Sequence, residues 1–305
     1  MLLLTRIALF AALLVSSVSP AANPPQADPP AGATALRFTA IPDQNATELK
    51  ARYKPVADYL AHRLGIAVEY VAAADYQASV EMFKNGDVLL AWFGGLTGVQ
   101  ARAAVPGAHA IVQGAEDPQY YSYFIVHRSA GLDRSEEFPL AIASLPFTFG
   151  SESSTSGRLM PEYFLHRATG RSPSEFFEQA YGFSGSHTRT AELVCSGGRI
   201  KAGVINYLTW NSMVADGRVD TTDCHVLWKT PVYADYNMTA HPDIERLFGA
   251  GTTARLASTL MEMDDPALLA AFARSRLIAA DDSEFEGIAQ VARELGLLRT
   301  RGTTR

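Results

Sequence analysis

The hydrophobic and polar positions of this chain change period repeatedly. Residues 36–41 (LRFTAI) alternate with period two, as a half-buried strand does. After a break at Pro42-Asp43-Gln44-Asn45, apolar residues recur at helical spacing over 47–64: Leu49, Tyr53, Val56, Tyr59, Leu60 and Leu64. Gly65 stops that pattern, as glycine does after a helix. The alternation continues with a strand over 66–71, a helix over 76–85, an apolar strand over 88–93, a helix over 99–104, and strands over 108–113 and 121–127. The second half repeats the plan. Strands are expected over 147–150, 181–184, 202–205 and 226–230, and helices over 159–169, 188–195 and 208–215. The tail reads as helical over 255–261, 266–275 and 283–295. Strand–helix alternation of this kind predicts an α/β fold, with mixed sheets flanked by helices.

Two turns stand out because they follow strands, at the edge of a sheet where ligands bind. One is Gly94-Gly95-Leu96-Thr97-Gly98. The other is Ser153-Ser154-Thr155-Ser156-Gly157, between the strand over 147–150 and the helix over 159–169. The first N–H groups of a helix lack intrahelical partners, and short hydroxyl side chains cap them. The same N–H groups, the hydroxyls and the positive end of the helix dipole make a site for a small tetrahedral anion. Capping alone would also account for the serines, and both roles can hold at once. The two turns lie in different halves of the chain, which predicts two lobes facing a shared cleft.

Composition narrows the field. The chain has 305 residues, 48% hydrophobic and 19% charged, with a net charge of −6. That length accommodates two domains. The acidic balance argues against nucleic acid, which requires a basic face, but not against a small anion held by N–H and hydroxyl donors. Residues 1–21 read as a cleavable signal peptide: Arg6, an apolar run over 7–15, and small residues at 19–21. The Pro-rich stretch 22–35 reads as a disordered linker. Cys195 and Cys224 are the two cysteines, and in a secreted chain they form either one disulfide or two buried thiols. Neither has metal-ligand spacing. No Gly-x-Ser-x-Gly elbow, HExxH or Walker loop is present. Enzyme chemistry would therefore rest on Cys195 with His187, or on Cys224 with His225.

Several segments together resemble the periplasmic substrate-binding proteins of the phosphonate, phosphite and phosphate ABC-transporter group (PhnD-like). They are Ala74-Asp75-Tyr76, DVLLAWFGG over 87–95, 120–127, Ser154-Thr155-Ser156-Gly157, Gly185-Ser186-His187 and VLWKTP over 226–231. The run over 91–102 is similar to a branch of selenate-transporter binding proteins. The resemblance implies the two-lobe type II periplasmic-binding-protein fold. Its first lobe would hold 36–126 and 235–305, its second 132–229, with hinges at 127–131 and 230–234. It implies an oxyanion held by Ser154, Thr155 and Ser156 with Gly157 in the motif, a tyrosine donor at Tyr76 and a histidine at His187. Gly94, Gly95 and Thr97 are candidate donors, and Tyr121, Asn206, Tyr207 and Tyr236 candidate cleft walls.

Two departures bear on the ligand. Phe93 stands where aminophosphonate binders carry tyrosine, and no acid follows Val204-Ile205, where those proteins hold the ammonium. Asp235 lies near a second acidic position. A cleft of donors alone favours selenate or sulfate; an acceptor such as Asp235 reaching in favours hydrogen phosphate or phosphite. The resemblance further implies a monomer in the periplasm, without a cofactor and not an enzyme, that delivers its anion to a permease and ATPase complex. The competing expectations are a ligand-sensing module for a separate receptor and an enzyme on the same fold.

Overall fold

A computed structural model describes residues 35–43 and 46–298. The expected signal peptide and nearly all of the expected linker lie outside the described residues. Among those residues eleven strands form two sheets. The strands are β1 (Leu36–Ala40), β2 (Val68–Tyr70), β3 (Leu90–Phe93), β4 (His109–Gly114), β5 (Ser122–His127), β6 (Phe147–Phe149), β7 (Gly182–Phe183), β8 (Ala202–Asn206), β9 (Cys224–Lys229), β10 (Asn237–Ala240) and β11 (Leu277–Ala279). The helices are α1 (Ala46–Leu64), α2 (Tyr76–Lys84), α3 (Gly95–Ala104), α4 (Met160–Thr169), α5 (Pro173–Phe176), α6 (His187–Cys195), α7 (Tyr207–Ala215), α8 (Asp243–Phe248), α9 (Thr252–Met261), α10 (Pro266–Leu269) and α11 (Glu286–Glu294). None of the described helices is long and apolar enough to cross a membrane.

The first sheet runs β11-β4-β10-β3-β1-β2 and the second β7-β6-β8-β5-β9. β1 pairs in parallel with β2 and β3, and parallel neighbours require a crossover, here α1 and α2. β10 returns antiparallel between β3 and β4. β5 pairs antiparallel with β8 over Ser122–Val126 and with β9 over Tyr123–His127. The expected boundaries therefore need correcting: residues 122–126 belong to the second sheet, and the first crossing lies at Tyr120 rather than at 127–131. An alternating ring-rich strand looks the same in either sheet, so its period could not reveal which one it joins. The return crossing runs from Thr230 to Tyr236, between β9 and β10. Tyr120 and Tyr233 exchange backbone hydrogen bonds, each 2.9 Å, and tie the two crossings together.

A buried ion pair braces both crossings from the first lobe. The Arg274 guanidinium donates to both Asp117 carboxylate oxygens, Nη2 to Oδ1 at 2.6 Å and Nε to Oδ2 at 2.9 Å. It also lies over the rings of Tyr236 (4.6 Å), Tyr120 (5.3 Å) and Trp92 (5.6 Å). Asp235 N–H donates to the Asp117 carbonyl at 3.1 Å, so the same pair fixes the backbone of Asp235. In the second lobe, Cys195 at the end of α6 and Cys224 at the start of β9 are joined in a disulfide, with Cα atoms 5.1 Å apart.

Candidate functional site

The serine-rich turn follows β6 and is anchored to it: Gly150 N–H donates to Gly157 O at 2.8 Å. The chain then makes one wide π-type turn over Thr155–Leu159 before α4 begins, where a plain turn leading into a helix over 159–169 is expected from the sequence. Ser154 caps this turn, its hydroxyl accepting from Gly157 N–H at 2.9 Å. Its O–H proton remains available. A Cβ at Gly157 would lie 2.9 Å from Ser154 Oγ and 3.1 Å from Gly150 Cα. Glycine is required there by space, and its N–H is engaged within the turn. Ser154, Thr155 and Ser156 are each at most 2% exposed.

His187, the first residue of α6, is held between two partners. Its Nδ1 accepts from Asn206 N–H at 3.1 Å, so Nε2 bears the proton and faces Ser156 Oγ at 3.3 Å. Burial drives the His187 pKa down to about 3, and the ring is neutral. With its oxygen accepting from His187, the Ser156 hydroxyl directs its proton onward. Asn206 serves this arrangement through its backbone; its side chain caps α7 by accepting from Thr209 N–H at 2.7 Å.

The first lobe supplies the opposite wall. Gly94 caps α3 with no side chain of its own. The first N–H groups of α3 are instead met from outside: Gly95 N–H donates to Asp235 Oδ1 at 2.9 Å, and Leu96 N–H donates to Thr155 Oγ1 at 2.8 Å across the cleft. A Cβ at Gly94 would stand 3.2 Å from both of those oxygens, while its φ of −73° is ordinary. Space for the carboxylate and the hydroxyl, not backbone freedom, therefore selects glycine here. The Gly95 N–H is directed to Asp235, and the Thr97 hydroxyl donates back to Gly94 O at 3.1 Å. Neither is aimed at an anion.

Asp235 is buried beside these groups. Burial raises its pKa to about 7, against the lowering effect of Gly95 N–H and of the neighbouring Thr155 and Ser156 hydroxyls. Its Oδ2 is buried without a hydrogen-bond partner, and so is the hydroxyl of Tyr76 at the start of α2. Burial pushes the Tyr76 pKa well above the ordinary tyrosine value, so it stays a neutral O–H donor; the Asp43 and Asp235 carboxylates raise it further, and the neighbouring Ser154 hydroxyl opposes them. A buried polar atom with no partner is costly unless something binds it. Here an acceptor and a donor of this kind stand together.

The structure thus gathers Tyr76, Gly94, Gly95, Ser154, Thr155, Ser156, Gly157, His187, Asn206 and Asp235. It does not gather Tyr121, which stacks on Tyr207 at 4.0 Å under the Lys229 ammonium. Phe93 is likewise apart: its ring meets Phe83 edge-on in the first-lobe core. Sequence reasoning passed over Asp43 as a mere strand breaker. Its carbonyl accepts from His187 N–H at 3.2 Å across the cleft, and its carboxylate accepts from Tyr236 O–H at 2.8 Å. Its place just beyond the carboxyl end of β1 was the signal that could have found it.

Residues 38–285 match the family described as ABC transporter, phosphonate, periplasmic substrate-binding protein. Among relatives, the probable ABC transporter phosphite binding protein PhnD1 of Prochlorococcus marinus is 37% identical, covering 87% of this chain and 91% of that protein. The phosphate-import protein PhnD of Mycolicibacterium smegmatis is 28% identical over 73% of this chain and 71% of its own length. The solved structure of the Prochlorococcus PhnD1 in complex with methylphosphonate superposes with a TM-score of 0.81 at 36% identity, covering 87% of this chain and 99% of that one.

Proposed function

Because this chain belongs to the periplasmic substrate-binding proteins of phosphonate ABC transporters, we propose that it captures a small phosphorus oxyanion that still carries a proton, phosphite or methylphosphonate foremost, and delivers it to a membrane permease and its ATPase. The observation that carries this reading is the grouping of Asp235 with three hydroxyl donors. Tyr76 O–H and Asp235 Oδ2 have no hydrogen-bond partner, and the Ser154 and Ser156 hydroxyls, which lie beside Tyr76 and Asp235, can turn their protons to anion oxygens. A monoanionic phosphite or phosphonate fits both needs: its bare oxygens accept from the hydroxyls, and its own O–H donates to Asp235. Selenate and sulfate bring no proton, and bind only when Asp235 supplies one. The names of the relatives support the same class.

Binding and closure are one event in this reading. The anion meets the Ser154–Ser156 turn, whose Ser156 hydroxyl His187 orients, on one lobe, and Tyr76 and Asp235 on the other. Charge-assisted hydrogen bonds of roughly 1.5–3 kcal/mol each outweigh dehydration and the lost freedom of association. Replacing Ser154 and Ser156 together by alanine is expected to weaken phosphite or methylphosphonate binding at least roughly tenfold, about 1.4 kcal/mol, with the fold retained by circular dichroism. Unchanged affinity by calorimetric titration would remove the turn from the site.

A further inference from the structure

We propose that Leu159 and Met160 form an apolar latch, which holds the lobes together over the anion and sets affinity without touching it. This rests on reading the cleft as an oxyanion clamp. Both residues belong to the second lobe by chain connection, directly after the serine-rich turn that Gly150 anchors to β6. Their side chains nevertheless lie in the core of the first lobe. Leu159 is 0% and Met160 5% exposed, and both belong to the same apolar cluster as Leu96, Tyr236 and Ile288. The turn packs against α3 and α11 of the first lobe. Leu165, one and a half turns further along, instead lies in the core of the second lobe with Phe147 and Phe149. One short helix therefore has its first residue in one lobe and its middle in the other.

The wide turn makes this possible. Met160 N–H bonds to Thr155 O, five residues back, which inserts one residue more than a regular helical turn would. Leu159 and Met160 thereby follow the hydroxyl ligands by only a few residues and yet point across the cleft. Two polar contacts accompany them across the same gap, Leu96 N–H to Thr155 Oγ1 and His187 N–H to Asp43 O. Opening the lobes would expose both side chains to water, so their burial favours the closed form. A ligand shifts a two-state equilibrium only by what each state gains, and weakening the closed state lowers apparent affinity by the same factor.

The test is titration of the wild-type chain and of Leu159→Ala, Met160→Ala and Met160→Leu with phosphite and methylphosphonate, with dissociation rates and small-angle scattering at saturation. Leu165→Ala, on the same helix but in the other core, is the control. The latch predicts affinity at least roughly tenfold weaker in Leu159→Ala, about 1.4 kcal/mol. The loss lies in faster dissociation, with a larger radius of gyration at equal occupancy. Met160→Ala shows the same change to a smaller degree, and Met160→Leu restores it. Leu165→Ala lowers the melting temperature and leaves affinity in place. Wild-type affinity in both alanine variants overturns the latch, as does a loss of affinity with an unchanged radius of gyration. A wild-type chain that binds neither probe overturns the function proposed above and the latch with it; binding that ignores Leu159 overturns the latch alone.

Discussion

Replacing Asp235 by asparagine keeps the shape of the site and removes its acceptor. In the wild type, Oδ1 takes the Gly95 N–H and Oδ2 has no protein partner. In Asp235→Asn, the amide oxygen is expected to keep the Gly95 bond, and the NH2 group then faces the anion. A protonated ligand loses one charge-assisted hydrogen bond, worth roughly 1.5–3 kcal/mol. The expected effect at pH 7, where about half of Asp235 is ionised, is a loss of about 10- to 150-fold for phosphite and methylphosphonate. Sulfate and selenate, which only accept, should hold or gain. The pH dependence should change too. Wild-type affinity falls above about pH 7, where Asp235 and the ligand both lose their protons, whereas the variant prefers the dianion and binds better as pH rises. Stability supplies a second reading. The folded pKa of Asp235 is raised from 3.8 to about 7, so the folded state binds more protons between those values. The ligand-free wild type therefore loses stability as pH rises from about 4 to about 7, by an amount on the order of 4 kcal/mol, and Asp235→Asn lacks that loss. Calorimetric titrations at pH 6, 7 and 8 and urea melts of the ligand-free chain measure both. An equal drop in affinity for every anion at every pH would refute the acceptor role.

Other outcomes follow from buried groups elsewhere. Arg274→Met should cost about 3–5 kcal/mol in urea unfolding, because it leaves the Asp117 carboxylate buried without its partner; Arg274→Lys should recover only part, since a point charge cannot replace the bidentate, stacked guanidinium. Reduction of the Cys195–Cys224 disulfide, which spans 29 residues, should lower stability by about 3–4 kcal/mol on the loop-entropy relation, read as a lower melting temperature in reductant. His187, whose pKa is lowered to about 3, favours the fold in its neutral form; its contribution is complete above about pH 6.5 and is lost as pH falls toward 3. His187→Gln should flatten that acid limb, read in urea melts from pH 3 to 7, while leaving the slope of binding between pH 7 and 8 unchanged in the titrations.

Much of the first sheet was legible because β1, β3 and the helices between them have clear periods and glycine stops. β10 and β11 were not. The residues of β10, Asn-Met-Thr-Ala, sit mid-sheet and are all buried, so no alternation marks them, and only their pairing with β3 and β4 makes them a strand. The tail was read as helix because Pro266 and the apolar residues after it suit one; α10 ends at Leu269, and the chain turns to bring Arg274 under the crossings. At the site, the hydroxyl turn was legible from local chemistry, since capping and anion binding ask for the same residues. Asp235 could be named but not placed. Its position depends on its backbone bond to Asp117, 118 residues earlier, and such long-range contacts leave no local period. Gly94 could be flagged as a turn glycine, but the reason for it became visible only when Asp235 and Thr155 were seen to crowd its α-carbon.

The most direct test of the proposed function is calorimetric titration of the mature chain at pH 8, where Asp235 is ionised and accepts rather than donates, with phosphite, methylphosphonate, phosphate, selenate and sulfate. Melting curves should accompany it, because a ligand at about 100 times its dissociation constant adds about 2.7 kcal/mol. The account predicts saturable binding of phosphite or methylphosphonate, with selenate and sulfate weaker by at least roughly tenfold. Binding of selenate or sulfate in preference to every phosphorus oxyanion would contradict it.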